Sequence, residues 1–400
     1  MNNETRKETQ VLPKDVRYVG ADDLTLPLFE NQYPVQPMGV SYNSYLILDE
    51  KIAVMDSVDA RAADEWLAKL AHELDGRSPD YLVISHMEPD HSGSILRLAE
   101  KYQEMKLVGN TKTFTMLRQF FGASAPANER LVEVGEGGTL SLGTHTLHFM
   151  LAPMVHWPEV MVAYEETEKI LFSADAFGRF GALSRTAGAP WAPQARRYYY
   201  NIVGKYGAQV QALLKKASAL EIKTVCPLHG PVLTGEALGE ALRLYDLWSR
   251  WQSESPDDIL LAHASIHGNT ARAAELLKQK LEAKGARVTL CDLTTTEVSY
   301  AVANAFYCGK LVLACSTYDG GLFPPMEKFL SHLQAKGFRD RSVGLMENGS
   351  WAPAAARLMR AKLEEMKDLR VCGTVVSLRS AFGPANEAQM EALSAELCAK

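Results

Sequence analysis

The chain has 400 residues, which suggests two or three domains at roughly 150 residues per domain. It carries 42 Lys and Arg against 48 Asp and Glu, a net charge of −6, which disfavours a nucleic-acid-binding protein because such proteins normally present a basic surface. Hydrophobic residues make up 47% of the chain, and no run of about 18 apolar residues occurs, so we expect a globular fold without a transmembrane helix.

The amino terminus and the cysteines indicate the compartment. The first ten residues, MNNETRKETQ, are polar and lack the apolar stretch of a signal peptide, so we expect a cytoplasmic protein. The six cysteines contain no C-x-x-C pair, which predicts free thiols and excludes a fused four-cysteine zinc or rubredoxin-type iron module. They are Cys226, Cys291, Cys308, Cys315, Cys372 and Cys398.

Residues 1–255 contain short apolar runs that end in turn residues, His or Asp, with helical patterns between them. The predicted strands are Ser44–Leu48, Ile52–Met55, Tyr81–Ser85, Thr146–Leu151, Ile170–Ser173 and Lys223–Pro227. The predicted helices are Ala60–Leu74, Ser94–Tyr102, Thr111–Phe121, Val210–Ala219 and Ala237–Trp251. The first two strands flank a polar turn and predict a hairpin. Strands and helices in this order favour an α/β sandwich domain.

Residues 256–400 show a regular alternation of strands and helices after a polar linker at residues 251–258. The predicted strands are Ile259–Ala264, Arg287–Asp292, Gly309–Cys315, Ser342–Met346 and Arg370–Leu378. The predicted helices are Thr270–Lys284, Val298–Ala305, Pro325–Lys336 and Ala354–Met366. Such alternation predicts a doubly wound parallel sheet in a second domain.

Four metal-ligand side chains follow the strand at Tyr81–Ser85 within six positions: His86, Glu88, Asp90 and His91. Pro89 and Gly93 indicate a tight loop, in which side chains at this spacing can converge on one point. A lone His at a strand end more often makes an ordinary hydrogen bond, but four ligand types so close together favour a metal site.

Three further candidates, His156, Asp175 and His229, stand at other predicted strand ends and can share that site. The complete set has four imidazoles, three carboxylates and no thiolate, which suits iron, manganese or zinc. Seven ligands are too many for one tetrahedral ion, so we expect two ions with Asp175 bridging them. Two Fe(II) ions against three carboxylates leave one positive charge, which a bridging hydroxide would neutralise.

The pattern H-x-E-x-D-H, followed by distant His, Asp and His, resembles the metallo-β-lactamase-like diiron domain of the flavodiiron proteins. Zinc hydrolases of that fold typically show H-x-H-x-D-H, and Glu88 replaces the second His here, which favours iron. The resemblance implies an αββα sandwich at residues 1–255. It assigns His86, Glu88 and His156 to one iron and Asp90, His91 and His229 to the other, although water replaces the counterpart of His91 in some relatives.

A second feature is a small hydroxylated loop between the strand Ile259–Ala264 and the following helix. Backbone N–H groups and the dipole of a helix amino terminus favour a phosphate there. The loop lacks the Lys of a P-loop and the G-x-G-x-x-G pattern, so ATP and NAD are disfavoured. An ordinary helix cap is the alternative interpretation of this loop alone.

Two more loops follow the third and fourth strands, at the edge where a doubly wound sheet binds its ligand. Residues 256–400 resemble flavodoxin, which implies FMN, with Tyr318 and Trp351 offering flat surfaces to the flavin ring. The candidate FMN-binding residues are Ser265, His267, Gly268, Asn269 and Thr270 in the first loop, Ser316, Thr317, Tyr318, Asp319, Gly320 and Gly321 in the second, and Asn348, Gly349, Ser350, Trp351 and Ala352 in the third.

The resemblance to flavodiiron proteins spans residues 15 to 395. It implies an oxidoreductase that reduces O2 to water, NO to N2O, or both, with electrons from rubredoxin or a similar small donor. It also implies a head-to-tail homodimer or a dimer of dimers. The alternatives are a binuclear zinc hydrolase with an FMN-binding sensor domain and a non-enzymatic flavodoxin-like carrier. The sequence does not choose between O2 and NO.

Overall fold

The computed structural model of the chain describes residues 12–399. The chain divides into two compact units between Asp246 and Leu247. This division falls inside the helix Gly235–Ser249 and precedes the boundary expected after residue 255, which stays a prediction. None of the helices between residues 12 and 399 has the length and apolar character that a membrane crossing needs.

The first unit contains many short strands. They are β1 (Val16–Tyr18), β2 (Ala21–Asp23), β3 (Leu28–Phe29), β4 (Tyr33–Pro34), β5 (Val40–Tyr42), β6 (Tyr45–Ile47), β7 (Ala53–Met55), β8 (Tyr81–Val83), β9 (Lys106–Gly109), β10 (Leu131–Glu133), β11 (Thr139–Ser141), β12 (Thr146–Leu151), β13 (Met161–Glu165), β14 (Ile170–Phe172), β15 (Thr224–Cys226) and β16 (Leu233–Thr234). Two six-stranded sheets hold most of them, in the orders β1-β6-β7-β8-β9-β10 and β11-β12-β13-β14-β15-β16.

Helices connect these strands. They are α1 (Ala63–Leu74), α2 (Pro89–Ser92), α3 (Ile95–Lys101), α4 (Thr111–Phe121), α5 (Leu183–Thr186), α6 (Trp191–Tyr198), α7 (Gly207–Ala217) and α8 (Gly235–Ser249), with 3-10 turns at Ala60–Ala62, Gly122–Ser124, Asn128–Arg130 and Gly204–Tyr206 and a π-helical turn at Tyr199–Val203. The stripe Trp66, Leu70 and Leu74 is buried on α1, as expected for an amphipathic helix. The Asn110 side chain caps α4 by accepting from the N–H groups of Lys112 and Thr113.

The core of the first unit lies between its two sheets, where Tyr45 and Val83 of the first sheet pack with Phe149 and Phe172 of the second. The predicted hairpin is present, since β6 and β7 pair antiparallel. Strand β14 pairs in parallel with β15, so their carboxyl ends lie side by side. This sandwich therefore gathers several strand ends at one edge.

The second unit begins at Leu247 and contains β17 (Ser255–Ala264), α9 (Asn269–Ala283), β18 (Val288–Asp292), α10 (Val298–Tyr307), β19 (Cys308–Tyr318), β20 (Gly321–Leu322), α11 (Pro324–Ala335), β21 (Arg341–Asn348), α12 (Ala355–Glu364), β22 (Leu369–Leu378) and α13 (Pro384–Cys398). Its main sheet has the order β18-β17-β19-β21-β22, and every pair along that path is parallel. This is the predicted doubly wound sheet.

The predicted fold class is thus confirmed, with differences of detail. Strand β17 begins at Ser255, so part of the predicted linker belongs to the sheet. The sequence analysis missed β13, all five residues of which are buried, and the carboxyl-terminal helix α13. A loop was predicted at residues 89–92, where the structure has the short helix α2. The helix forms there because Pro89 suits the first position of a helix.

Candidate metal centre and flavin-binding loops

The segment after β8 delivers four of the seven candidate ligands. His86 and Glu88 precede α2, and Asp90 and His91 lie within it. Directly after α2 the chain passes close to another backbone segment. A Cβ on Gly93 would lie 2.7 Å from the Pro89 carbonyl oxygen and 2.8 Å from the Ala60 nitrogen, so this position excludes a side chain.

The other three candidates come from turns after strands of the second sheet. His156 lies between β12 and β13, Asp175 follows β14, and His229 follows β15. Since β14 and β15 are parallel neighbours, Asp175 and His229 leave the sheet at the same edge. All three side chains are buried.

The structure brings the seven side chains together in two adjoining groups. In the first group, Glu88 Oε2 lies 3.2 Å from His86 Nε2 and 3.0 Å from His156 Nε2. Asp175 Oδ2 lies 3.4 Å from the same His86 nitrogen and 3.1 Å from that of His156. Two imidazole nitrogens thus face two carboxylate oxygens.

The second group repeats this arrangement. Asp90 Oδ2 lies 3.2 Å from both His91 Nε2 and His229 Nε2. Asp175 Oδ1 lies 3.4 Å from the His91 nitrogen and 3.6 Å from the His229 nitrogen. Asp175 therefore turns one oxygen toward each group, as expected of a bridging ligand.

Charges in the cluster are strongly coupled. Burial disfavours the charged carboxylate, yet contacts with His156 and His91 hold the pKa of Asp175 well below its usual range. Burial also lowers the pKa of an imidazole, but the charge of Asp90 raises the pKa of His91 to about 10. Contact with Asp175 likewise raises the pKa of His156 to about 9. A bound metal ion would replace the protons held on these imidazoles.

The donor set fits two metal ions. Both oxygens of Asp90, both of Asp175 and Nε2 of His156 are buried without a hydrogen-bond partner among the described residues. Nε2 of His91 lies 3.0 Å from Nε2 of His229, so the two nitrogens must share a proton or face a cation. Leaving a buried polar group unsatisfied costs about 1–3 kcal/mol. Imidazole and carboxylate donors without thiolate suit iron, manganese or zinc.

Several residues around the ligands carried no sequence signal that we recognised. Glu159 Oε1 accepts from His86 Nδ1 at 2.8 Å, and burial, which would raise the pKa of Glu159, is outweighed by this bond, which lowers it. His229 Nδ1 donates to the Ser41 carbonyl oxygen at 2.7 Å. Such outer partners fix which imidazole nitrogen faces the metal.

The segment at residues 196–201 packs beside His229. The buried ring of Tyr198 lies 5.5 Å from the imidazole of His229. Arg197 is also buried, stacks at 4.8 Å on Phe180 and donates to the Pro34 carbonyl oxygen. These contacts show a packing role.

In the second unit, the three predicted flavin loops are joined by hydrogen bonds. Thr270 Oγ1 lies 2.8 Å from Ser316 Oγ, and Asn348 Nδ2 donates to Thr270 Oγ1 at 3.2 Å. Asn348 also donates to the Ser380 carbonyl oxygen, which brings in a fourth loop that the sequence analysis did not include. The carboxyl edge of the parallel sheet therefore carries one connected loop surface.

The first of these loops has the features of an anion site. Gly268 has φ of 86°, in the left-handed region, and no atom lies within 4 Å of its ideal Cβ position, so the space above it is open. Its N–H donates to Ser265 Oγ. The 15-residue helix α9 starts directly afterwards without a side-chain cap, which leaves its first N–H groups available to a phosphate.

Two of the three loops expose an aromatic side chain. Trp351 is 89% exposed and Tyr318 is 44% exposed, although most large hydrophobic side chains of the unit are buried. Asp319 and Gly320 both have positive φ and form the turn that presents Tyr318. Exposed rings on the second and third loops, together with the uncapped helix start on the first loop, fit a ligand with a phosphate and a flat ring system.

Known proteins resemble the chain along nearly its whole length. A family model described as "ODP family beta lactamase" matches residues 40–230, a range that contains all seven candidate ligands. The chain is 27% identical over 361 residues to the nitric oxide reductase of Moorella thermoacetica, with 88% of each chain covered. It is 27% identical over 358 residues to the rubredoxin-oxygen oxidoreductase of Megalodesulfovibrio gigas, with 87% of each covered.

A solved structure extends this similarity to both units. The flavodiiron protein from Giardia intestinalis is 25% identical, has a TM-score of 0.87, and covers 98% of both chains. The two-sheet sandwich with its His and carboxylate cluster defines the β-lactamase-like class. Together with the doubly wound unit that follows, it identifies the chain as a member of the flavodiiron protein family.

Proposed function

We propose that the chain is a flavodiiron oxidoreductase that reduces O2 to water, NO to N2O, or both. The observation that carries this proposal is the pair of adjoining ligand groups with Asp175 between them. The names of the relatives from Moorella thermoacetica and Megalodesulfovibrio gigas support NO and O2 as substrates.

We assign His86, Glu88 and His156 to the first iron and Asp90, His91 and His229 to the second, with Asp175 bridging. His91 is retained as a direct ligand because its Nε2 lies 3.2 Å from Asp90 and faces the same point as His229. The Glu88 carboxylate, where a zinc hydrolase would have His, favours iron.

When bound, two Fe(II) ions and FMNH2 supply the four electrons that convert O2 into two water molecules, and two electrons suffice to couple two NO into N2O. The residues of the chain hold and orient the metal donors, and they bury them away from bulk water. Glu88, whose side chain is 13% exposed beside the buried imidazoles, marks the side from which a small molecule can approach.

FMN is assigned to the loops at the carboxyl edge of the second unit, residues 265–270, 316–321 and 348–352. The hydroxyl groups of Ser265 and Thr270 and the start of α9 would hold its phosphate. Tyr318 and Trp351 would contact its ring system through their exposed faces.

The reaction needs an external electron donor, and we propose rubredoxin or a similar small protein. The printed name of the Megalodesulfovibrio gigas relative supports this choice. The experiment is anaerobic turnover with reduced rubredoxin, comparing O2 and NO consumption. The proposal fails if the protein, loaded with iron and FMN, consumes neither gas.

Metal content separates this function from a binuclear zinc hydrolase with an FMN-binding sensor domain. Protein purified anaerobically from iron-sufficient cells should contain two irons and one FMN per chain. Two zinc ions and no iron would contradict the redox assignment. The free buried thiols are consistent with a cytoplasmic location, which we propose as well.

We also propose a head-to-tail homodimer, alone or within a dimer of dimers, in which FMN of one chain serves the irons of the other. The metal ligands lie wholly within the first unit and the flavin loops wholly within the second, so a symmetric dimer can complete the path. A variant with Glu88→Ala and Asp175→Ala and a second variant with a disrupted Ser265–Thr270 loop should be inactive alone. Co-expression should restore activity, and mixed dimers that form but stay inactive would exclude this arrangement.

A further inference from the structure

A buried carboxylate outside the seven candidate ligands contacts one of them. Glu159 Oε1 accepts a hydrogen bond from His86 Nδ1 at 2.8 Å and another from the Met87 N–H at 2.9 Å. Neither Glu159 nor His86 exposes any of its side chain. Glu159 is itself held in place, because its carbonyl oxygen accepts from Asn110 Nδ2 at 2.7 Å.

This contact orients the imidazole. With Nδ1 of His86 donating to Glu159, Nε2 is the nitrogen that faces Glu88 and Asp175, at 3.2 and 3.4 Å, and it would offer its lone pair to a metal bound there. A carboxylate on the outer nitrogen also makes the imidazole a stronger electron donor to a metal.

Among residues 12–399, neither imidazole of the second ligand group has its outer ring nitrogen hydrogen-bonded to a carboxylate. His229 Nδ1 donates to a neutral carbonyl oxygen, that of Ser41. His91 Nδ1 is buried and has no hydrogen-bond partner in the described part of the chain. The buried Asp56 carboxylate interacts electrostatically with both His91 and His86, so it does not distinguish the two groups. The two metal positions are alike in the types of their direct ligands, but only the first has an imidazole whose outer nitrogen donates to a buried carboxylate.

We propose that Glu159 is a positioning residue that sets the tautomer of His86. Through His86 it makes the ligands of the first metal position donate more electron density to their metal than the ligands of the second position do. This inference rests on the proposed function, because it assigns to the first iron the lower reduction potential of the pair.

The test is Glu159→Gln, whose amide oxygen can accept both hydrogen bonds without a negative charge. Its NH2 group takes the place of Oε2, which is buried and has no hydrogen-bond partner in the described part of the chain. The chain offers a matched control in Glu165→Gln. Glu165 is equally buried and accepts from His145 Nδ1 at 3.0 Å, and neither residue belongs to the candidate ligand groups. Both variants and the wild-type holoprotein are compared by chelator competition, redox titration and Mössbauer spectroscopy.

In Glu159→Gln we expect the affinity of the protein for one of the two irons, measured by chelator competition, to fall about 10- to 100-fold. This is the usual effect of losing an outer partner of a metal ligand. The reduction potential of that iron should rise, and one of the two Mössbauer signals should shift. Glu165→Gln should match wild type in all three measurements. A Glu159→Gln protein that matches wild type, or a Glu165→Gln protein that shows the same change, overturns the proposal.

Glu159→Asp provides a second variant if Glu159→Gln does not fold. Its shorter side chain keeps the negative charge but moves it away from His86. The iron affinity and reduction potential should therefore change in the same direction as in Glu159→Gln, by a smaller amount. An unchanged iron affinity and unchanged potentials would overturn the inference. Wild-type protein that binds no iron refutes the proposed function instead. Competition with Zn(II) then still tests Glu159, because the tautomer argument holds for either metal.

Discussion

Asp175→Ala should remove both metal ions, because Asp175 faces both ligand groups. Its Oδ2 lies 3.1 Å from His156 Nε2, and its Oδ1 lies 3.4 Å from His91 Nε2. By contrast, Glu88 contacts only imidazoles of the first group and Asp90 only those of the second. The three carboxylates therefore predict three different patterns of metal loss.

The size of the effect follows from the ligand count. Asp175→Ala lowers the carboxylate charge of the cluster from three to two and removes one direct donor from each ion. Losing even an outer partner weakens metal binding about 10- to 100-fold, so each ion should lose at least that much. At 1.4 kcal/mol per tenfold, this is about 1.4–2.8 kcal/mol or more per ion.

The assay measures iron and FMN per chain after anaerobic reconstitution and desalting. Asp175→Ala should retain less than one iron per chain. Glu88→Ala should bind the second ion more tightly than the first, and Asp90→Ala should bind the first more tightly than the second. FMN should stay bound in all three, since its loops lie in the second unit, while O2 and NO reduction should be lost in Asp175→Ala and Glu88→Ala.

Two results would refute this reasoning. If Asp175→Ala keeps one iron with wild-type affinity, Asp175 serves one ion and does not bridge. If FMN is lost from folded Asp175→Ala and Glu88→Ala proteins alike, the assignment of the two cofactors to separate units is wrong.

Three further predictions concern the units separately. Residues 256–400 expressed alone should fold and bind FMN, and a soluble, folded fragment that stays colourless with added FMN would contradict the loop assignment. Trp351→Ala should leave the free energy of unfolding within about 0.5 kcal/mol, because the side chain is exposed, yet weaken FMN binding by roughly 0.5–1.5 kcal/mol, measured by fluorescence titration. Chelation of the metal should lower the calorimetric melting temperature of the first unit, since ligand at 1,000 times its Kd stabilises by about 4.1 kcal/mol; an unchanged transition would argue against bound metal.

The candidate ligands could be predicted because the signal is local. His86, Glu88, Asp90 and His91 lie within six positions after a strand, and turns after other strands supply the remaining donors. The doubly wound sheet was equally accessible, since its strands and helices alternate at regular spacing.

Two elements were not predicted from the sequence: strand β13, which lacks a clear periodic signal, and helix α13, which has one. Strand β13 is buried on both faces, so its residues do not alternate between polar and apolar. Helix α13 does carry a usable pattern, since Met390, Leu393 and Leu397 are buried at helical spacing. Glu159 could not be assigned, because its partner His86 lies 73 residues away and only the fold brings them together.

The cluster is poorly explained as a structural hydrogen-bond network. A buried network is favourable only when all its members are satisfied, and here the buried oxygens of Asp90 and Asp175 have no partner in the described part of the chain. The close approach of His91 and His229 adds to the cost, because two imidazole nitrogens converge where one proton at most can sit between them. Two cations relieve both problems, since each would face inward-pointing donors from one group. The residues that destabilise the metal-free fold are thus the ones that the proposed chemistry needs. Glu159 is a further buried carboxylate that would act on the metal only through its hydrogen bond to His86.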